Sequence, residues 1–262
     1  MRYKYGGRVI HTTRDEFGLI EVVEDEFHRT LHFGTDPKQS SMRLDDPASL
    51  VLGYTRAMMC ALLFNESPGS ALLIGLGGGS LARFLLHHFP RCRIDAVECR
   101  PQVIDVARSH FRLAHDPRLR VLAGEGSTFM RTAREGRPRY DLILVDAFDD
   151  EGMAEEVAGL AFFDACHARL TEDGVLAANL WHDDEGRLSQ HLEHLATAFE
   201  RRSLRLPVPG KGNMVALATR RKITWRELRR LNRPAGALGE RYQIEYAMFL
   251  RQMRRANRLF RF

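Results

Sequence analysis

Residues 71–80 read Ala-Leu-Leu-Ile-Gly-Leu-Gly-Gly-Gly-Ser, and the chain runs on through Leu81-Ala82-Arg83-Phe84-Leu85-Leu86-His87-His88 to Arg93-Ile94-Asp95-Ala96-Val97-Glu98. Four apolar residues, a glycine-dense turn and a run with an apolar stripe at Leu81, Phe84 and Leu85 predict strand, tight loop and helix in that order. Histidines 87 and 88 are expected on that helix's surface. Glycines in such a loop let the backbone approach a ligand where a Cβ would obstruct it. The second strand ends on Glu98, 23 residues beyond Gly75. A carboxylate there can accept hydrogen bonds from both hydroxyls of a ribose. Gly75, Gly77, Gly78, Gly79 and Glu98 are therefore read as nucleoside-binding.

The pattern repeats outward from this unit. Apolar strands in RIDAVE, LRVLAG, YDLILVDA and GVLAANLW alternate with helical stretches at 101–111, 129–134, 160–170 and 187–199. Short apolar strands between amphipathic helices predict a parallel sheet covered on both faces. SLRLPV and NMVALAT, joined around Pro209-Gly210-Lys211-Gly212, read as a hairpin closing the sheet. The whole predicts an α/β, Rossmann-like class I S-adenosylmethionine-dependent methyltransferase fold with a small N-terminal β element. A dinucleotide fingerprint would require glycine or alanine where Ser80 stands. Glu125, in Ala123-Gly124-Glu125-Gly126 after the third strand, is placed to accept a bond from an adenine amino group. Asp146 ends the fourth strand, with Asp149 and Asp150 in the next loop. Ligands of such sheets bind at the carboxyl ends of the strands, so these acids are expected to face the glycine loop. Two carboxylates beside a sulfonium can bind an amine and take its proton.

Three segments are expected: residues 1–67 as a β-hairpin and helix, 68–219 as the nucleoside-binding domain, and 220–262 as a basic helical extension. Residues 17–33 read as two strands around Glu24-Asp25-Glu26, and Pro47 opens a helix to about Phe64 with Asp46 as its N-cap. Pro68-Gly69 marks the boundary. The last segment reads as two helices split at Pro234 and Gly236. Its apolar residues, Tyr242 to Met253, predict a helix covering its own domain or a dimer partner, with nucleic-acid binding the disfavoured reading. The net charge of +5 is unevenly spread: residues 201–262 hold 17 Lys and Arg against three acids. An acidic body suits cationic substrates. The four cysteines form no CxxC pair, the N-terminus has no apolar signal core, and no run reaches the ~20 apolar residues of a membrane span. A cytoplasmic protein without membrane association or metal is expected. His182-Asp183-Asp184-Glu185 reads as a solvated loop rather than a metal cluster, because adjacent residues rarely converge on one ion. Trp181 ends a strand beside the crevice.

Over roughly residues 17–219 the sequence resembles the spermidine synthase family, the polyamine aminopropyltransferases. The segments that carry the resemblance are LLIGLGGGSLARFL, DAVECRPQVIDVARSHF, DPRLRVLAGEGSTFM, YDLILVDAFDD and LTEDGVLAANLW. The resemblance implies a nucleoside held by the glycine loop, Glu98, Glu125 and Gly126, with Glu125 replacing an Asp. It implies Asp146 as the catalytic Asp that accepts the amine proton, with Asp149, Tyr54 and Gln39 toward the amine, and a homodimer. Gly78 departs from the pattern, because the family carries there an Asp that holds the aminopropyl amine. Thr55 and Arg56 stand where the family has His and Glu, and Asp150 replaces a Pro. Decarboxylated and intact S-adenosylmethionine both remain candidate co-substrates. Three functions follow: aminopropyl transfer to a di- or polyamine, methyl transfer, or nucleoside binding without catalysis.

Overall fold

Seven strands form the central sheet of the computed structural model, which describes residues 3–132, 139–147, 157–180, 185–210 and 212–257. In chain order these are β6 (Ser70–Ile74), β7 (Arg93–Glu98), β8 (Leu119–Ala123), β9 (Tyr140–Val145), β10 (Leu170–Leu180), β11 (Ser203–Pro207) and β12 (Met214–Thr219). Their order across the sheet is β11-β12-β10-β9-β6-β7-β8. The five from β10 to β8 are parallel, and the β11–β12 hairpin adds two antiparallel strands. Alternate strand residues face opposite sides. Leu73, Ala96, Leu144, Ala177 and Leu217 enter one core, while Leu72, Val97, Ile143, Leu176 and Ala218 enter the other. Helices α2 (Ser80–His88) and α3 (Pro101–His110) cover the first face; α4 (Gly126–Arg131), α5 (Leu160–Arg169) and α6 (Glu185–Ala198) cover the second. These parallel strands and flanking helices match the α/β expectation.

The N-terminal part is larger than the hairpin expected. Five antiparallel strands, β1 (Tyr3–Lys4), β2 (Gly7–Asp15), β3 (Gly18–Glu24), β4 (His28–His32) and β5 (Ser40–Arg43), form a meander. Its inner residues Ile20, Val22, Leu31 and Met42 pack on Val103, Val106 and Phe111. The sequence concealed β2 because GRVIHTTRD holds only two large apolar residues, Val9 and Ile10, side by side rather than alternating. The next helix also starts later than Pro47. Residues 47–52 are turn and loop, and α1 spans Gly53–Met58 before tightening into a 3-10 turn over Met59–Leu63.

The basic C-terminal segment belongs to the main core. It folds as α7 (Trp225–Arg230), α8 (Asn232–Tyr242) and α9 (Tyr246–Ala256). Pro234 and Gly236 do not split it; α8 runs through both, since Pro234 falls in the first turn, where its missing N–H deprives no helical bond. The turn falls instead at Gln243, whose φ of 54° is left-handed. Ile244, Tyr246, Phe249, Leu250 and Met253 are buried with the first-face core. His88 is correspondingly half-buried rather than free on the surface, its ring 4.9 Å from that of Tyr242. At the sheet edge the Asn257 amide bonds both backbone groups of Arg205 in β11, accepting at 3.0 Å and donating at 2.8 Å, as a neighbouring strand would. This covers an edge otherwise open to pairing with another chain.

Phe249, 1% exposed, tests that integration. Phe249→Ala should lower the unfolding free energy by about 3–5 kcal/mol, the cost of emptying a buried aromatic site. Urea denaturation reads it, and an unchanged midpoint would mean the tail is dispensable to the core.

Candidate active site

Strands β6 and β9 are neighbours, with Ile74 opposite Val145, yet the helices that follow them go to opposite faces of the sheet. A crevice therefore opens just past their carboxyl ends, the usual ligand position in such sheets. Gly75 and Asp146 are the first residues beyond the pairing. The Asp146 N–H donates to Ile74 O at 2.8 Å, and a Cβ on Gly75 would lie 2.1 Å from Asp146 O. No side chain fits at Gly75, so the glycine sets how closely the two strand ends approach.

A cavity of about 690 Å³ occupies this crevice, within the ~300–1,000 Å³ usual for small-molecule sites. Gly75, Gly77, Glu98, Glu125 and Gly126 line it, and so do Asp146, Tyr54 and Gln39 from the other side. Gly79 stands behind the lining as the N-cap of α2. Gly78 is also turned away: a Cβ there would lie 2.7 Å from Ser40 Oγ and 2.9 Å from Phe111 Cδ1. The space that a side chain at this position would need is thus filled by β5 and the end of α3. Asp149, Asp150, Trp181 and His182 to Asp184 lie outside the described residues.

The two central carboxylates are held differently. Glu98 Oε2 accepts from the N–H groups of Leu76 at 2.9 Å and Gly77 at 3.3 Å, while Oε1 accepts from Arg100 N at 3.1 Å. It thereby fixes the glycine loop from the neighbouring strand. Asp146 meets side chains: the Asn179 amide donates to its Oδ1 at 2.9 Å, and the Tyr54 hydroxyl, which donates to Gln39 O at 3.4 Å, lies near enough to favour its ionised form. Burial raises the Asp146 carboxyl to about 6, against the lowering effect of Asn179 and Tyr54, with the Glu98 charge adding to the rise. Burial foremost, then the Glu98 and Glu125 carboxylates, pushes the cavity's Cys99 thiol up to about 12, so no thiolate forms there at neutral pH.

The roof comes from the N-terminal sheet. Arg100, two residues beyond Glu98, forms a buried bidentate pair with Asp15 at 2.9 and 2.7 Å, and its guanidinium lies 4.3 Å from the Phe33 ring centroid. The following turn brings Glu16 and Phe17 to the cavity. Asn179, Arg100, Asp15 and Phe33 did not stand out in the sequence. A usable signal existed for two of them: Asn179 is the lone amide in an apolar strand, and Arg100 follows a strand-end acid.

Residues 52–192 match the model of the spermine/spermidine synthase domain. The polyamine aminopropyltransferase of Chromobacterium violaceum is 36% identical over 239 residues, covering 91% of this chain and 90% of that one. The chain belongs to the spermine/spermidine synthase family. Among solved structures, a probable spermidine synthase from Corynebacterium glutamicum superposes with a TM-score of 0.72 over 87% of both chains at 20% identity, a likeness of fold. Human methyltransferase-like protein 13, solved with SAH, superposes with a TM-score of 0.64 over 77% of this chain and 93% of its own, at 26% identity. A spermidine synthase fold and the class I methyltransferase fold thus meet in one architecture. No helix of the described residues is long and apolar enough to cross a membrane.

The raised Asp146 has a consequence for stability. A folded carboxyl near 6, above an unfolded value near ~3.9, binds more protons in the native state between those values, so its contribution to stability falls as pH rises through that window. The unfolding free energy of Asp146→Asn minus that of the wild type should therefore grow from about pH 4 to about pH 6 and level off above. Paired urea titrations measure it, and a difference independent of pH would contradict the raised value.

Proposed function

We propose that this chain is an aminopropyltransferase that moves the aminopropyl group of decarboxylated S-adenosylmethionine to a di- or polyamine. The observation that carries this reading is the partly buried Asp146 carboxylate facing the glycine loop across the strand switch, ionised at neutral pH. The described lining adds three further carboxylates, Glu16, Glu98 and Glu125, against two guanidiniums, Arg100 and Arg131. Such a surface favours cationic ligands. Glu98 binds the ribose diol, for which it exchanges its two longest contacts, Gly77 N at 3.3 Å and the Cys99 thiol at 3.5 Å. Glu125 and Gly126 lie toward the base.

When bound, the nucleoside supplies an electrophilic carbon beside a positive sulfonium. A free amine has a pKa near ~10 and arrives protonated, so attack requires a proton acceptor. Asp146 takes that proton, while Tyr54, Gln39 and Asp149 hold the acceptor amine. The amine nitrogen forms a bond to carbon, the carbon–sulfur bond breaks, and its electron pair stays on sulfur in a neutral thioether. Holding nitrogen and carbon in line accounts for much of the rate. The same reading places the enzyme in the cytoplasm, as a homodimer, on the strength of the family resemblance.

Gly78 favours a second reading, methyl transfer from intact S-adenosylmethionine. A side chain at 78 would collide with Ser40 and Phe111, so no carboxylate stands there to take a propylamine. Mass analysis of the acceptor decides: a gain of one aminopropyl group supports the first reading, and a gain of one methyl group supports the second.

Asp146→Asn should lower turnover with a polyamine by roughly 10²–10⁴-fold, the usual worth of a positioned base. Its affinity for the thioether product, which carries no amine, should hardly change. Glu98→Ala should do the reverse, weakening that product by at least about tenfold through loss of charge-assisted bonds. Steady-state kinetics and calorimetry read the two effects. Wild-type transfer in Asp146→Asn would remove Asp146 from the chemistry.

A further inference from the structure

Asn179 is a polar side chain in an apolar strand. From Val175 to Leu180 its neighbours along β10 are all buried aliphatics, and Asn179 itself is 1% exposed. A buried amide is costly unless both of its ends are bonded. Both are: Nδ2 donates to Asp146 Oδ1 at 2.9 Å, and Oδ1 accepts from Asn213 Nδ2 at 3.1 Å. Asn213 immediately precedes β12, whose pairing with β10 sets Val215 opposite Asn179. The two asparagines thus reach Asp146 from behind the sheet's end, and neither lines the cavity.

The direction of this chain is fixed by its end. An ionised carboxylate only accepts, so Asn179 must turn its NH₂ toward Asp146 and leave its oxygen for the NH₂ of Asn213. Hydrogen bonds in such a row polarise one another in the same sense. We propose that Asn213 and Asn179 form a donor relay that orients Asp146 and holds it ionised as the amine's proton acceptor. They are positioning residues, and the proposal rests on the reading of Asp146 as the base. Among the described residues the other groups acting on Asp146 are Tyr54, from α1, whose hydroxyl favours ionisation, and Glu98, from β7, whose charge opposes it. Burial opposes it as well. The relay works against both.

The test titrates Asp146 directly, by carbon NMR of the full chain with labelled aspartate and no ligand, alongside the pH dependence of kcat/KM. In the wild type the Asp146 midpoint should lie near 6. Asn179→Leu should raise it by about one to two units, the equivalent of one lost hydrogen bond to a charged group. Asn213→Ala, on a half-buried hairpin, should raise it by less, and it carries the test if Asn179→Leu fails to fold. The acid limb of kcat/KM should move by the same amounts, with the affinity for thioether nucleoside unchanged. A midpoint that stays put in folded Asn213→Ala and Asn179→Leu would overturn the relay and leave the asparagines a purely structural pair. A midpoint that moves while the acid limb does not would spare the relay and overturn Asp146 as the base.

Discussion

The close approach of Gly75 to the carbonyl of Asp146 is the constraint around which the site is built. Two parallel strands end side by side, one hydrogen bond from Asp146 N to Ile74 O ties the ends, and a Cβ at 75 would stand 2.1 Å from an oxygen. Because β6 hands its helix to one face and β9 to the other, the chain parts at this point and leaves room for a ligand. The glycine loop and the acid are thereby fixed on opposite lips of one crevice. A bulkier residue at 75 would push the lips apart, and with them the carboxylate from the loop.

The two acids deepest in this crevice serve different ends because they are bonded differently. Glu98 spends its oxygens on backbone N–H groups, so it shapes the loop as much as it faces a ligand. Asp146 is bonded to the side chain of Asn179, from a strand that comes later in the chain, and burial raises its carboxyl into the range of a working base. The outer layers serve the same crevice. The Arg100–Asp15 pair joins the small sheet to the end of β7 and closes the cavity from above. The C-terminal helices fill the core behind the sheet, and Asn257 completes its edge.

Much of the central sheet was legible because most of its strands carry a short apolar run bounded by glycine, proline or charge, which leaves little choice of element. The glycine loop, Glu98 and Asp146 could be placed from spacing alone, since strand ends on a parallel sheet converge. Other features depend on contacts that sequence does not display. Strand β2 has no apolar alternation to betray it. Pro234 looks like a breaker until its place in a first turn is known. The mixed apolar and basic run from Tyr242 to Met253 left open which surface it covers, and only the packed structure assigns it to the chain's own core. Asn213 reaches Asp146 through Asn179, across two strand pairings, which no local pattern encodes. Gly78 was legible as a departure, but that Ser40 and Phe111 fill the adjoining space was not.

The account's central claim is that this crevice takes a sulfonium nucleoside whose arm ends in an amine. Isothermal titration of the full chain with decarboxylated and with intact S-adenosylmethionine, in the same buffer, tests it most directly. The account predicts tighter binding of the decarboxylated form, because the described lining offers four carboxylates against two guanidiniums and the additional carboxylate of the intact form would meet like charge. Tighter binding of the intact form would contradict it and hand the site to methyl transfer.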